Sequence, residues 1–290
     1  MDLSIIIPTY NIAEVLDDCL NSIIKYSQDL SYEIIVVDNA SSDNIDEIIA
    51  KYKDIKFIKN KKNLGFGKAS NQGFRIAKGT YILFLNSDTR IHDNCFKKLI
   101  DKLEQDKTIG FIGPKMTNRD GSFQAACRRT IPTPFAAFCR MFGLSKMFPN
   151  NPLFNQYSLG NISIDKEMEI EAISGACLMS RKDILDKIGG FDEQYFIYGE
   201  DLDMCLQITK LGYKGYYYPK AEILHFHKAT TKKRKYMFLF HFYYSAYLFF
   251  KKNYNSKFLL IFVMAGLIIR CSAAVLKELF FGLKKEGLKA

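Results

Sequence analysis

No two of the seven cysteines, at positions 19, 95, 127, 139, 177, 205 and 271, stand in a Cys-x-x-Cys pair, and their odd, scattered placement excludes a zinc ribbon and a disulfide scaffold. They read as reduced thiols of a core. No Gly-Lys-Ser or Gly-Lys-Thr follows a glycine-rich turn, which excludes a Walker-type phosphate loop. Uninterrupted apolar runs fall short of the roughly eighteen residues that a membrane span needs, the longest candidate (258–276) being broken by Arg270. A basic stretch followed by a cleavable apolar one is missing at the start, where Met1-Asp2 leads directly into Leu3-Ser4-Ile5, so the folded part is expected in the cytosol. There is no internal repeat.

Acidic residues are nearly missing from the last sixty positions, and this explains the net charge of +10. Residues 1–230 hold 29 Lys or Arg and 29 Asp or Glu, while residues 231–290 hold 12 Lys or Arg against Glu278 and Glu286. A neutral main body excludes a nucleic-acid-binding surface of the usual basic kind. Two apolar stretches of the tail, 236–250 and 258–269, are flanked by Lys232, Lys233, Arg234, Lys235, Lys251, Lys252, Lys257, Lys277, Lys284 and Lys285. They are expected to be helices lying on an anionic membrane surface, with packing on the body or on a second subunit as the alternative.

The chain is 48% hydrophobic and 14% aromatic, enough for one large core or two modest ones. Apolar β-branched runs alternate with helical patterns, which predicts a mostly parallel sheet covered by helices on both faces. Strands are expected at 4–7, 33–37, 55–59 and 80–85, and helices at 12–26, 42–52, 67–77 and 93–106. Five of the seven prolines interrupt residues 110–160, a loop-rich region suited to an acceptor or a lid. A strand at 170–179, helices at 181–188 and 201–211, and short strands at 216–219 and 222–225 follow. Pro8, Asp38, Asn63 and Asp88 all fall at carboxyl ends of strands, where ligands of such sheets collect.

Two acidic clusters stand out: Asn86-Ser87-Asp88 after an apolar strand, and Glu200-Asp201-Leu202-Asp203 after Phe196-Ile197-Tyr198-Gly199. A carboxylate at a strand end can hold a divalent cation against a diphosphate, and another across a cleft can take a proton, which points to a metal-assisted transferase.

Ser4-Ile5-Ile6-Ile7-Pro8-Thr9-Tyr10-Asn11, Val36-Val37-Asp38-Asn39-Ala40-Ser41-Ser42-Asp43, Asn63-Leu64-Gly65-Phe66-Gly67 with Asn71, and Leu85-Asn86-Ser87-Asp88-Thr89 together resemble family 2 glycosyltransferases of the GT-A fold. Ser174-Gly175-Ala176-Cys177, Gly189-Gly190-Phe191-Asp192-Glu193, Tyr198-Gly199-Glu200-Asp201 and His225-Phe226-His227 extend the resemblance over residues 3–230, nearest to the rhamnosyltransferase-like subgroup. The resemblance implies a Rossmann-like α/β domain with a nucleotide-sugar part (1–115), an acceptor and catalytic part (116–230) and the basic helical tail (231–290). It implies an inverting enzyme of cell-surface polysaccharide synthesis at the cytoplasmic face of the membrane. The donor would be a nucleotide-diphosphate sugar, with rhamnose or another hexose, and the acceptor a saccharide or a lipid-linked one. Self-association is left open.

Residue by residue, the resemblance assigns Pro8, Thr9, Tyr10, Asp38, Gly67, Asn71, Asn86 and Ser87 to the nucleotide, and Asp88 to Mg²⁺ or Mn²⁺ with His225 or His227 as a further ligand. Asp201 is the expected base, with Glu200 orienting the acceptor. Gly175 and Ala176 are assigned to acceptor or phosphate binding, and Arg128 and Arg129 are expected to clamp phosphates. Asn86 departs from the family's Asp-x-Asp and removes one charge from the metal site. A non-catalytic nucleotide-sugar binder or membrane assembly scaffold is the competing reading. A sugar nucleotidyltransferase is disfavoured because Pro8-Thr9-Tyr10-Asn11 stands where a glycine-rich turn with arginine would be expected.

Overall fold

Seven consecutive buried residues, Leu3–Thr9, form strand β1 in the middle of the sheet. The computed structural model describes residues 1–148, 151, 153–154, 156–226 and 235–254, and further on 257, 260–261, 264–266, 268–269 and 271–272. Helix α1 (Ala13–Tyr26) leads to β2 (Tyr32–Asp38), α2 (Ile45–Ile49) to β3 (Lys56–Lys59), and α3 (Phe66–Ile76) to β4 (Tyr81–Leu85). These four strands pair in parallel in the order β3-β2-β1-β4, with Thr9 level with Asp38. Pairing of β1 with β4 ends at Ile6 and Phe84, so Pro8, which lacks an N–H, takes no bond from that ladder.

Beyond β4 the sheet changes character. After β5 (Thr89–Ile91) and α4 (Cys95–Gln105) come β6 (Ile109–Thr117), α5 (Pro134–Met141), α6 (Leu144–Met147) and β7 (Met168–Ile170). β8 (Cys177–Arg181), α7 (Lys182–Ile188), α8 (Glu200–Lys210) and β9 (Lys214–His225) follow. β8 is antiparallel to both β4 and β6, β6 runs parallel to β9, and β9 is antiparallel to β5 and β7. The sheet is therefore mixed: the expected parallel order holds for its first four strands and returns only between β6 and β9. Six of the seven cysteines are buried free thiols, as reduced core residues should be.

Several elements depart from the sequence expectation for local reasons. α2 is five residues long because the polar residues expected to open it serve the loop after β1. Ser41 Oγ accepts from Asn11 N at 2.9 Å, Asp43 Oδ2 accepts from Ala13 N at 2.8 Å at the start of α1, and Asn11 Oδ1 accepts from Ser42 N at 2.7 Å. β6 runs through Pro114, where its register with β9 shifts and a missing N–H is tolerated. The strand expected at 170–179 is two, parted by a turn at 174–177 where Cys177 N donates to Ser174 O. The two short strands near 220 are one, β9, with the same shift between Tyr218 and Glu222.

The tail supplies α9 (Lys235–Asn253), which packs on the body through buried Ser245, Phe249 and Phe250. Among the described residues no helix is long and apolar enough to cross a membrane. Lys232, Lys233, Arg234, Lys277, Lys284 and Lys285 lie outside the described residues, as does His227.

Candidate active site

The carboxyl ends of β1 and β2 meet where Thr9 O accepts from Asn39 N at 2.9 Å. Asp38 is fully buried and turns its carboxylate onto Ser41 N at 3.0 Å, an Asx-type turn. Positive φ at Asn11 (55°) and Ala40 (64°) bends both loops sharply, an uncommon conformation for alanine. Thr9 Oγ1 is buried without a hydrogen-bond partner, a polar atom left over at the strand end. Tyr10 is half-buried beside it. Asn39 ties this corner to the next loop, donating from Nδ2 to Gly65 O at 3.1 Å and accepting from Leu64 N at 3.3 Å. Gly65 has φ of 87°, and a Cβ there would lie 2.3 Å from Phe196 O, so only glycine allows Phe66 N to donate to that carbonyl at 2.8 Å.

Asn71 and Gly67 correct their assignment to the nucleotide. The Asn71 amide is spent on the loop after α7: Nδ2 donates to Phe191 O at 2.9 Å and Oδ1 accepts from Phe191 N at 2.9 Å. Gly67 lies within α3 against Phe191, where a Cβ would come to 3.3 Å from that residue's Cβ. Both join α3 to the 191–196 segment.

The second corner lies at the end of β4. Thr89 pairs with His225 across β5 and β9, and Phe226 N donates to Asp88 O at 2.9 Å, which brings residues 137 positions apart together. His225 Nε2 lies 3.2 Å from Asp88 Oδ1 and 3.2 Å from Asn86 Nδ2. Its Nδ1 is 2.9 Å from Gln124 Oε1. Gln124 Nε2 donates to His225 O and to Asn118 Oδ1, both at 2.7 Å, so the amide orientation is fixed and Oε1 must accept, placing the ring proton on Nδ1. Nε2 then directs its lone pair toward Asn86 and Asp88. A carboxylate oxygen and an imidazole lone pair facing each other at this distance form a donor set that suits a divalent cation, with Gln124 as the outer partner that orients the ligand. Asn86 donates an N–H to that same lone pair, so an ion there would take the place of this donor and leave the Asn86 carbonyl oxygen as a further ligand. Among the described residues there is no cluster of three His, Cys, Asp or Glu, so such an ion would need further oxygens from a bound diphosphate. Ser87 is buried between these ligands in the chain.

Asp201 forms the third corner, in the first turn of α8. Its Oδ2 is 2.7 Å from Arg129 NH2 and accepts from Gly175 N at 3.1 Å, and its Oδ1 accepts from Leu202 N at 2.8 Å. Ala176, next to Gly175, accepts from Asn86 N at 3.0 Å. One pair of consecutive residues thus touches both Asp201 and Asn86, the residue two before Asp88.

Glu200 is buried, and its Oε2 has no hydrogen-bond partner. Burial, together with the negative charge of Asp201, pushes its carboxyl far above the usual carboxylate range.

The two arginines expected as phosphate clamps are engaged by partners within the chain. Arg128 is 1% exposed, and its guanidinium donates to Ser163 O at 2.7 Å while lying over the rings of Phe123 and Tyr217. Arg129 donates to Ile173 O at 2.6 Å and to Tyr157 Oη at 3.1 Å besides facing Asp201. Burial works against its charge, and Asp201 and Tyr157 more than offset that. Sequence reasoning also missed Gln124, which sits in a polar turn with no motif of its own. Two adjacent arginines in a proline-rich stretch gave a signal, but not of these partners.

The pattern that defines glycosyl transferase family 2 matches residues 4–189, and one described as the N-terminal domain of galactosyltransferase matches residues 156–232. The chain is 26% identical over 246 residues to the N-acetylglucosaminyl-diphospho-decaprenol L-rhamnosyltransferase of Mycobacterium tuberculosis, covering 80% of this chain and 78% of that protein. It is 27% identical over 233 residues to a chondroitin synthase of Pasteurella multocida, covering 72% of this chain and 23% of that one. Among solved structures, residues 1–349 of S. aureus TarS superpose with a TM-score of 0.59 at 19% identity, over 93% of this chain and 71% of that one. GalNAc-T7 with UDP, GalNAc and Mn²⁺ gives a TM-score of 0.59 at 18% identity, over 79% of this chain and 44% of the other. At these identities the structural likeness establishes the fold.

Proposed function

We propose that this chain, which belongs to glycosyl transferase family 2 and is rhamnosyltransferase-like, moves a sugar with inversion from a nucleotide diphosphate to a saccharide or lipid-linked acceptor in cell-surface polysaccharide synthesis. The observation that carries the proposal is the shared contact of Gly175 and Ala176 with Asp201 and Asn86, which links the carboxylate proposed as base to the proposed diphosphate site through two consecutive residues. The loops after β1 and β2, with Pro8, Thr9, Tyr10 and Asp38, would hold the nucleotide, and Thr9 Oγ1 is a buried hydroxyl there awaiting a partner.

Oδ1 of Asp201, which accepts only the Leu202 N–H among the described residues, keeps a lone pair for the proton of an acceptor hydroxyl. As that proton leaves, the hydroxyl oxygen bonds to the anomeric carbon from the face opposite the diphosphate, the anomeric carbon–oxygen bond to the diphosphate breaks, and the configuration inverts. Asp88 and His225, with the Asn86 carbonyl, are the groups that would hold Mg²⁺ or Mn²⁺, which when bound supplies positive charge to the departing diphosphate. Arg129 and Gly175 N fix the base by its other oxygen.

The mycobacterial relative makes dTDP-rhamnose the first donor to test, with UDP-hexoses next. The tail is assigned to an anionic membrane surface at the cytoplasmic face, which suits a lipid-linked acceptor. Residues 223–277 contain no Asp or Glu, and Phe240, Phe242, Tyr244, Ile261, Ile268 and Ile269 are exposed.

The deciding experiment is a calorimetric panel of nucleotide sugars with and without Mn²⁺, followed by turnover of any that bind. Inverted product from a bound donor is the expected result. Tight binding with no turnover on any acceptor would make the chain a nucleotide-sugar-binding scaffold instead.

A further inference from the structure

Three carboxylates crowd the first turn of α8, and each is treated differently. Asp201 faces Arg129, Glu200 makes no ion pair among the described residues, and Asp203, 2% exposed, is met by a cation from far along the chain. Lys252 Nζ of α9 lies 2.8 Å from Asp203 Oδ2 and 2.6 Å from Asp192 Oδ2, and Asn253 Nδ2 donates to Asp203 Oδ1 at 3.2 Å. Burial acts against the Lys252 ammonium, but the two carboxylates outweigh it and hold it above the ordinary lysine value.

Asp192 and Asp203 are the two ends of the segment that carries Glu200 and Asp201, so one ammonium bridges both ends. Between them α9 makes three more contacts. Ser245 Oγ donates to Ile197 O at 2.9 Å, His241 stacks on Phe196 with ring centroids 4.4 Å apart, and Phe242 meets Tyr198 edge-on at 5.8 Å. The segment needs such support: Tyr198 has φ of 69° and Gly199 of 81°, and a tyrosine keeps that conformation only when its surroundings impose it. On the opposite side Phe196 O receives Phe66 N, so the segment is held between the start of α3 and α9.

We propose that α9 completes the active site, and that Lys252 is a positioning residue which, by bridging Asp192 and Asp203, holds Asp201 in the orientation that transfer requires. The catalytic consequence rests on the transferase reading above. The mechanical one, restraint of the segment, does not.

The test compares Lys252→Met and Lys252→Arg in the full chain. Hydrogen exchange of the amides of residues 197–203 needs no ligand: it should speed up tenfold or more in Lys252→Met, stay unchanged in β1 to β4, and return to the original rate in Lys252→Arg. With dTDP-rhamnose as donor, kcat per folded molecule, the folded fraction being counted separately by thermal unfolding, should fall about tenfold with KM within twofold of the parent. Unchanged exchange at 197–203, or an equal rise throughout the sheet, would overturn the proposal, as would full kcat with only a lowered Tm. Absence of turnover in the parent would count against the transferase reading, with exchange still deciding the restraint. Should Lys252→Met fail to fold, Asp192→Asn cuts one end of the bridge and should give a smaller rise confined to the same amides. No rise there would also sink the idea.

Discussion

The two sides of the sheet hold their functional groups by different means. On the side of β1 to β4, neutral amides and backbone do the holding: Asn39 and Asn11 each tie two loops together, and Asn71 ties α3 to the loop after α7. Beyond β4, charges are set against each other, with Arg129 against Asp201 and Lys252 against Asp192 and Asp203, and the His225 ring lies beside Asp88. An amide that loses its partner leaves a dipole unsatisfied, whereas a buried carboxylate that loses its cation leaves a full charge, which costs more. Substitutions beyond β4 are therefore expected to act on chemistry as well as stability, and those on the first side mainly on stability.

The largest effect should come from Asp201→Asn, which removes the proton acceptor and leaves the Arg129 charge without its anion. Transfer should fall on the order of a hundredfold or more with UDP affinity nearly unchanged, measured by single-turnover kinetics and calorimetry. Retained turnover would move the base to Glu200 or Asp203. Asp88→Ala comes next: Mn²⁺ should no longer tighten UDP binding, and equal UDP affinity in chelator and in Mn²⁺ for the parent would refute the cation site.

Gln124→Leu sharpens the same point from outside the ligand set, because the ring of His225 loses the group that fixes its proton. Mn²⁺ affinity should drop about tenfold, the size expected for an outer partner, with the thermal midpoint reporting any separate loss of stability. On the amide side, Asn71→Ala should lower stability by about 1–3 kcal/mol in urea titrations and leave UDP binding alone. A loss of UDP affinity there would return Asn71 to the nucleotide site.

Glu200→Gln should give the smallest change, and one whose sign depends on pH. The carboxyl titrates near 8 in the folded chain against 4.5 for an ordinary glutamate, so the folded state binds the extra proton between those values. Its contribution is complete below the lower value and is lost as pH rises through the higher one. The amide removes that loss, so the variant's Tm relative to the parent should be higher at pH 8 than at pH 5. An equal difference at both pH values would mean that Glu200 is ionised throughout.

Legibility in the sequence divides along the same line. β1 to β4 and α1, α3 and α4 lie within about two residues of their expected places, because continuous apolar runs bounded by Pro8, Asp38 and Asp88 mark buried parallel strands. β5, β6 and the break between β7 and β8 were not legible, since their pairing depends on partners far away and Pro114 resembles a stop. In the site, residue type and place pointed to Asp38, Asp88, His225 and Asp201, and the structure brings Asp88 and His225 together. Gln124 and Lys252 were not legible, because a lysine 49 residues from its aspartate carries no local sign of its partner.

The pairing of Thr89 with His225 has a consequence for how this gene can change length. Neighbouring residues of a strand face opposite ways, so gaining or losing one codon between positions 222 and 225 would turn the imidazole from Asp88 to the far side of the sheet. The register of β9 on β6 already skips residues 219–221, and the turn at 118–122 closes through its own Asn118 and Ser122. Insertions and deletions inherited by descendants of this chain should therefore collect at those two places and spare the four positions that end in His225.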